Sequence, residues 1–329
     1  MRSALLALAS ILRLTRVTTA FAAVANLWFV VLWTRGVPEE LEWAPEHLRE
    51  RPLWLLLAGG ALAATGLYAF AASVNDVLDS KRDRALRPRR PIPSGEISPD
   101  AAGIVVSCTL IAALLGSAVF DLAGMLATLA LAIGIIFYNT MARFVPTIGV
   151  VVLGLLYAGH MLVPNVGLRF LVPVWLIMTH ALFSAGLGHL VGAKIPRFSR
   201  RGVVVATLSW IAWSAGALWL GHVRAQEKPG YWPSLVPTLA VAGPAVLALL
   251  FAVVCVMKFR RFGFTPRAIE KIGRYATFWC SLYGCAWLAG VGQWKSAALL
   301  GGLAACGWVL MTALREIYGL MEQPVGFRR

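Results

Sequence analysis

Between Val74 and Ser98 the chain reads VNDVLDSKRDRALRPRRPIPSGEIS, which crowds three aspartates, one asparagine and six Lys or Arg against the end of a long apolar run. At about 100° per residue, a helix continued through this stretch puts Asn75, Asp76, Asp79 and Asp83 within an arc of roughly 100°, so the four share one face. Carboxylates about 5–6 Å apart repel by about 3 kcal/mol per adjacent pair at an effective dielectric near 20, and a cation must offset that. Oxygen ligands of this kind suit Mg2+, which is usually held by one or two carboxylates together with phosphate oxygens. Asn75, Asp76, Asp79 and Asp83 are therefore the candidate Mg2+ ligands, with Asp76, Asp79 and Asp83 as the candidate catalytic groups. The competing reading is a solvated loop whose aspartates pair with Lys81, Arg82 and Arg84.

The elements that must position this face are hydrophobic. Hydrophobic residues make up 59% of the chain and charged ones 14%. Apolar runs of about twenty residues, each long enough to cross ~30 Å of hydrocarbon, recur at 17–36, 53–74, 101–120, 122–141, 145–164, 170–192, 203–222, 236–257, 273–292 and 295–313. The last two are nearly continuous through Gly292-Gln293-Trp294, so nine or ten helices are expected, in one domain spanning 1–329. With the N-terminus cytoplasmic, 23 of the 30 Lys and Arg fall inside, the asymmetry of an integral membrane protein. The formal charge of +15 is mostly this bias, with attraction to anionic membrane lipid added, and it argues against nucleic acid as a partner. The opening MRSALLALASILRLTR reads as a cytoplasmic amphipathic lead-in with no convincing cleavage site. The five cysteines lie in or at the ends of apolar runs without paired ligand spacing, as small buried hydrophobes do.

The segment NDVLDSKRD resembles the N-D-x-x-D-x-x-x-D motif of the UbiA family of intramembrane prenyltransferases, and RPIPSGEIS resembles the R-P-I/L-x-x-G-x-I-S sequence that follows it there. Weaker similarity links LRLTRVTTAFAAVAN to the family's first helix and FYNTMARFVPTIG to its Y-x-x-x-K segment. The resemblance implies an all-α transmembrane bundle around a central cavity open to the cytoplasmic side. It further implies Mg2+-assisted ionisation of a polyprenyl diphosphate and transfer of the polyprenyl group to a lipophilic, aromatic acceptor, in a bacterial-type inner membrane.

The sequence departs from that pattern in two places. Where many relatives have I-P-D-x-x-x-D-x-x-G, this chain has IPRFSRRG, so Arg197 and Arg201 stand at the two aspartate positions. Two arginines exclude a second metal there and offer forked donors to phosphate oxygens, with Lys194 and Arg200 adding to the field. Four apart, Arg197 and Arg201 are expected to share a helix face opposite the aspartates. The lysine of Y-x-x-x-K is Ala142 here, beside Arg143, and Tyr138 is kept. The expected diphosphate-binding set is thus Asn75, Arg90, Arg143, Lys194, Arg197 and Arg201. Asn26, Tyr138 and His160 are the candidates for acceptor or cavity. Asn165, His180 and His189 are also polar residues inside apolar runs, and each of these groups serves equally well as an interhelical hydrogen-bond partner. Two other readings stay open: a terpene cyclase of the same fold, and an isoprenoid-binding membrane protein that lost catalysis with its second acidic motif.

Overall fold

The punctuation in the sequence sets where each helix begins. The computed structural model describes residues 2–191, 196–224, 232 and 236–322, and every regular element among them is helical. In chain order these are α1 (Arg2–Thr15), α2 (Phe21–Gly36), α3 (Pro38–Glu42), α4 (Glu46–Glu50), α5 (Leu53–Leu78), α6 (Ser80–Leu86), α7 (Pro99–Ser117), α8 (Asp121–Thr140), α9 (Pro146–Leu162), α10 (Val172–Leu190), α11 (Arg200–Arg224), α12 (Ala242–Phe262), α13 (Pro266–Gly290) and α14 (Trp294–Glu322). Pro99, Pro146 and Pro266 open α7, α9 and α13, where a missing N–H costs nothing and the fixed φ suits the first turn. Ser98 and Thr265 cap two of these helices by accepting from the N–H of Ala101 and Ala268. Gly263 at φ 67° closes α12 and Gly292 at φ 80° turns the chain between α13 and α14, both left-handed positions that favour glycine.

Each of the ten expected runs falls on a helix, and the four shorter helices α1, α3, α4 and α6 stand outside them, so the expected count of nine or ten is exceeded among the described residues. Among the described residues, five stretches are long and apolar enough to cross a membrane: Leu53–Leu78, Pro99–Phe144, Arg200–Arg224, Thr238–Phe262 and Trp294–Ala313. In α11 only 6% of the most apolar window is buried inside the protein, so its apolar side chains face outward, as lipid contact requires. Phe21–Gly36 and Pro146–Leu162 are shorter apolar helices, and α2 is almost wholly buried.

Two cores meet on α2. One gathers Phe29, Trp33, Phe170, Tyr283 and Trp287; the other gathers Leu27, Leu56, Leu67 and Phe120. Trp33 stacks on Phe170 at 5.3 Å between centroids, and Trp287 meets Phe170 edge-on at 5.4 Å, an arrangement the ring quadrupoles favour. This aromatic wall lies towards the Gly36 end of α2. There α3 and α4 strap across: the Glu40 carboxylate accepts from the N–H groups of Phe170 at 2.7 Å and Arg169 at 3.2 Å, and His47 pairs with Asp121 at 3.1 Å. Burial pushes the Glu40 carboxyl above the usual carboxylate range, and the two backbone donors pull against it. The acidic motif lies at the other end of the bundle, where α5 finishes and α2 begins.

The α5–α7 contact has little slack. A Cβ on Gly66 would lie 2.6 Å from Ala113 N, and one on Gly116 would lie 2.3 Å from Ala63 N, so glycine at these positions lets the two backbones approach. Gly116→Val is expected to push α7 off α5 and to lower stability by roughly 1–3 kcal/mol, the usual cost of overpacking. Melting of the purified variant in detergent checks this; an unchanged midpoint would show that the helices separate freely.

Candidate functional site

Helix α5 runs four residues beyond its expected end, so Asp76 lies on its last turn. Asp79 is the junction residue, and α6 resumes at Ser80. The backbone bonds Asp79 N–H to Asn75 O at 3.0 Å and Asp83 N–H to Asp79 O at 2.8 Å carry the helical path through the junction. The expected face therefore forms. All three aspartates are buried, at 4%, 4% and 1% exposure for Asp76, Asp79 and Asp83.

Their partners are guanidinium groups. Arg16 donates to Asp76 Oδ1 at 2.7 Å, and Arg90 bridges Asp76 Oδ1 at 2.9 Å and Asp83 Oδ2 at 2.6 Å. Arg143 reaches Asn75 Oδ1 at 2.8 Å and both oxygens of Asp79, while Arg82 donates to Asp79 Oδ2 at 2.7 Å. Asn75 Nδ2 donates to Asp76 Oδ1 at 3.2 Å. Four cations thus surround three carboxylates, which is what burial of this much charge demands. The short helical turn Ala142–Phe144 presents Arg143, whose guanidinium lies 4.9 Å from the Phe144 ring centroid.

Beside the cluster, α1 packs on the residues after α6. Ser10 and Arg13 both bond the Glu96 carboxylate, and Leu14 packs with Ile92, Ile97 and Ala102. Arg16 itself sits at φ 51°, a left-handed conformation that costs a non-glycine residue of order 1 kcal/mol or more and is held by the surrounding contacts.

Among the described residues, no group of three acidic, histidine or cysteine side chains could hold a metal ion by itself. The donor set still fits Mg2+. The bonds to Asp76 converge on Oδ1 and the bond to Asp83 falls on Oδ2, so Asp76 Oδ2 and Asp83 Oδ1 take no hydrogen bond among the described residues. Two hard oxygens completed by phosphate oxygens are how Mg2+ is commonly held. Asp79 has both oxygens engaged by Arg82 and Arg143.

The other expected residues are dispersed. Arg197 precedes α11, which begins at Arg200, so Arg197 and Arg201 do not share a helix face as expected; the helix starts too late. Both are exposed, and neither bonds the acidic cluster among the described residues. Lys194 lies outside the described residues. Tyr138 is half-buried near the end of α8. His160 keeps Nε2 buried without a partner. Asn165 donates to Thr34 at 3.2 Å, and His189 Nδ1 donates to Pro196 O at 2.9 Å, both packing roles. Sequence reasoning missed Arg16 as a clasp, although its basic charge just before an apolar run was the available signal.

The acidic face and three of its four arginine neighbours, Arg82, Arg90 and Arg143, lie within a recognised sequence pattern. Residues 43–193 match the UbiA prenyltransferase family. The match covers a little under half of the chain and includes the whole NDVLDSKRD motif, so the resemblance drawn from that motif stands. No curated protein matches the chain in sequence. Among solved structures, one reported for digeranylgeranylglyceryl phosphate synthase is 17% identical, with 87% of this chain and 98% of that one covered and a TM-score of 0.58. An apo UbiA homologue from Aeropyrum pernix K1 is 15% identical over 80% of this chain and 96% of its own, with a TM-score of 0.51. A UbiA homologue from Archaeoglobus fulgidus bound to Cd2+ is 17% identical over 84% and 99%, with a TM-score of 0.50. At these identities the structures establish a shared UbiA fold. That fold extends the likeness beyond the family match into the C-terminal helices.

Proposed function

We propose that this chain is a membrane prenyltransferase that moves a polyprenyl group from its diphosphate to a lipophilic, aromatic acceptor. One observation carries the reading: a buried triad of aspartates, ringed by guanidinium groups, ends an apolar helix and keeps two carboxylate oxygens open. The setting is one domain over 1–329 in an inner membrane of bacterial type, with the N-terminus and the site at the cytoplasmic face.

Bound at Asp76 and Asp83, Mg2+ would supply charge to the diphosphate oxygens and so favour departure of the leaving group. The chain's own part is to bind and orient. Arg16, Arg90 and Arg143 hold carboxylates in this structure and are forked donors suited to phosphate. Arrival of the diphosphate gives these arginines a second anion to share, which draws charge from the carboxylates towards the leaving group. The allylic C–O bond breaks with its electron pair going to the diphosphate. The acceptor's electron pair then forms the new bond to that carbon, and the acceptor loses a proton. Arg197, Arg201 and Lys194 would steer the anion to the cytoplasmic mouth, in place of a second metal. Apolar helix faces around the site exclude water that would quench the allylic cation.

The test is diphosphate release from geranylgeranyl diphosphate by the purified chain, with Mg2+ and then with excess EDTA, and with total membrane lipid as acceptor source. Expected are Mg2+-dependent release and a lipid heavier by one prenyl unit. Release with a cyclic hydrocarbon or alcohol and no acceptor would assign a terpene cyclase; binding without release would assign a carrier.

A further inference from the structure

The turn between α12 and α13 gathers cations and aromatic rings at the end of a lipid-facing helix. Between Lys258 and Arg274 the chain carries six Lys or Arg and one Glu. Trp287, late in α13, meets Trp33 near the Gly36 end of α2, so the start of α13 and this turn lie towards the end of the bundle that holds the acidic motif. Only 17% of the most apolar window of α12 is buried inside the protein, and Leu249, Val253, Val256 and Met257 are exposed along it, up to the first of these cations. Helix α13 begins at Pro266, ahead of its apolar run, and at about 100° per residue its polar first turns put Arg267, Lys271 and Arg274 within an arc of about 60°. Gly263 makes the turn, and Phe264 beside it is 75% exposed. Rings hold the cations in place. Arg261 and Arg267, one on each helix, lie over the Phe262 ring at 5.3 and 5.2 Å from its centroid, and Lys258 lies over Tyr275 at 4.7 Å. Phe264 itself rests on Phe259 at 4.9 Å between centroids. Arg260, Arg261 and Arg267 are exposed, and none pairs with a carboxylate among the described residues; Glu270, the one acidic residue of the segment, pairs with Arg274.

We propose that the α12–α13 turn binds the phosphate headgroup of an anionic phospholipid in the leaflet nearest the acidic motif. The site is independent of the prenyl-transfer reading. The exposed apolar side of α12 offers a bed for the acyl chains, and the cations begin where that side ends, at headgroup depth. A guanidinium lying over a ring keeps its in-plane N–H groups for oxygen acceptors, so Arg261 and Arg267 can converge on one phosphate from two helices while Arg260 and Lys271 add charge. A zwitterionic lipid brings its own ammonium into the same field and loses much of the attraction. A soluble acidic partner would leave Phe264 in water, whereas at a bilayer surface that ring enters the headgroup boundary, as interfacial aromatics do. The general inside bias of basic residues asks only for charge in a loop; it asks neither for two arginines on one ring nor for three cations on one helix face. Helix α13 carries Tyr283 and Trp287 into the core, so a lipid that holds its first turns fixes the depth of a core helix.

The experiment counts lipids bound to the purified full chain by native mass spectrometry, from detergent micelles holding equal amounts of phosphatidylglycerol and phosphatidylcholine with matched acyl chains. The first lipid bound by the wild type is expected to be phosphatidylglycerol by at least ~10-fold, given the attraction of each basic residue for anionic lipid. The triple variant Arg260→Gln/Arg261→Gln/Arg267→Gln brings that ratio to within about 2-fold, while Arg260→Lys/Arg261→Lys/Arg267→Lys, which keeps the charge, keeps most of the preference. A control, Lys81→Gln/Arg84→Gln/Arg87→Gln, removes three exposed cations elsewhere on the same side and leaves the ratio as it was. Excess inorganic phosphate also leaves it as it was, relative to chloride of equal ionic strength. No preference in the wild type, or a fall as large in the Lys variant as in the Gln variant, overturns the proposal. So does an equal fall in the control, which would assign the preference to net charge alone. Displacement of the lipid by inorganic phosphate overturns it as well, because the turn would then be a site for small anions and not for a headgroup.

Discussion

Asp76→Asn should lower Mg2+-dependent diphosphate release by at least ~100-fold, the scale on which loss of one charge-stabilising group in a preorganised site is felt. Asparagine keeps the shape and can still accept from Arg16 and Arg90 at Oδ1, where both now bind. What it replaces is the open Oδ2, with an amide that donates and cannot ligate a cation. The change therefore isolates ligation from packing. Asp79→Asn is a different experiment. Both Asp79 oxygens already accept from guanidinium groups, so an amide nitrogen there confronts a donor and disturbs the clasp itself. Asp76→Asn with normal release and an unchanged melting midpoint would remove the metal site on this helix end.

The acidic face was legible because its determinants are local. Helical periodicity alone places Asp76, Asp79 and Asp83 on one side, and hydropathy alone places the helix that carries them. The ten apolar helices were legible for the same reason. The partners were not. Arg90 and Arg143 were read as diphosphate ligands, and in this structure they hold the carboxylates; which anion a guanidinium holds depends on three-dimensional approach that spacing does not encode. The solvated-loop reading was right for Arg82, which pairs with Asp79 three residues back, a neighbour relation within one turn. Arg16 lies sixty positions from Asp76, and nothing short of the fold brings them together. The short helices α3 and α4 escaped because five residues cannot show a period. Tyr283 on α13 and His180 on α10 share a hydrogen bond at 3.2 Å, through a hydroxyl that resembles, in sequence, that of any other buried tyrosine.

Removal of Arg90 should be among the most destabilising single changes in the molecule. Its guanidinium is 19% exposed and bridges Asp76 with Asp83, whose side chain is 2% exposed. Arg90→Met fills similar volume and leaves Asp83 buried with no other ion pair among the described residues. A charge stranded in this way typically costs about 3–5 kcal/mol. Asp76 suffers less, since Arg16 still holds it. The expected readout is a large fall in the detergent melting midpoint of Arg90→Met. Adding Asp83→Asn should return part of it, because the neutral amide no longer needs a cation, with a coupling of about 0.5–3 kcal/mol between the two positions. Additive effects in that cycle would mean that Arg90 and Asp83 do not share a bond in the folded protein. The same cycle carries a functional reading. If ligand phosphate takes over Arg90 during binding, geranylgeranyl diphosphate should raise the midpoint of the wild type more than that of Arg90→Met, because only the wild type retains the donor that the phosphate would occupy.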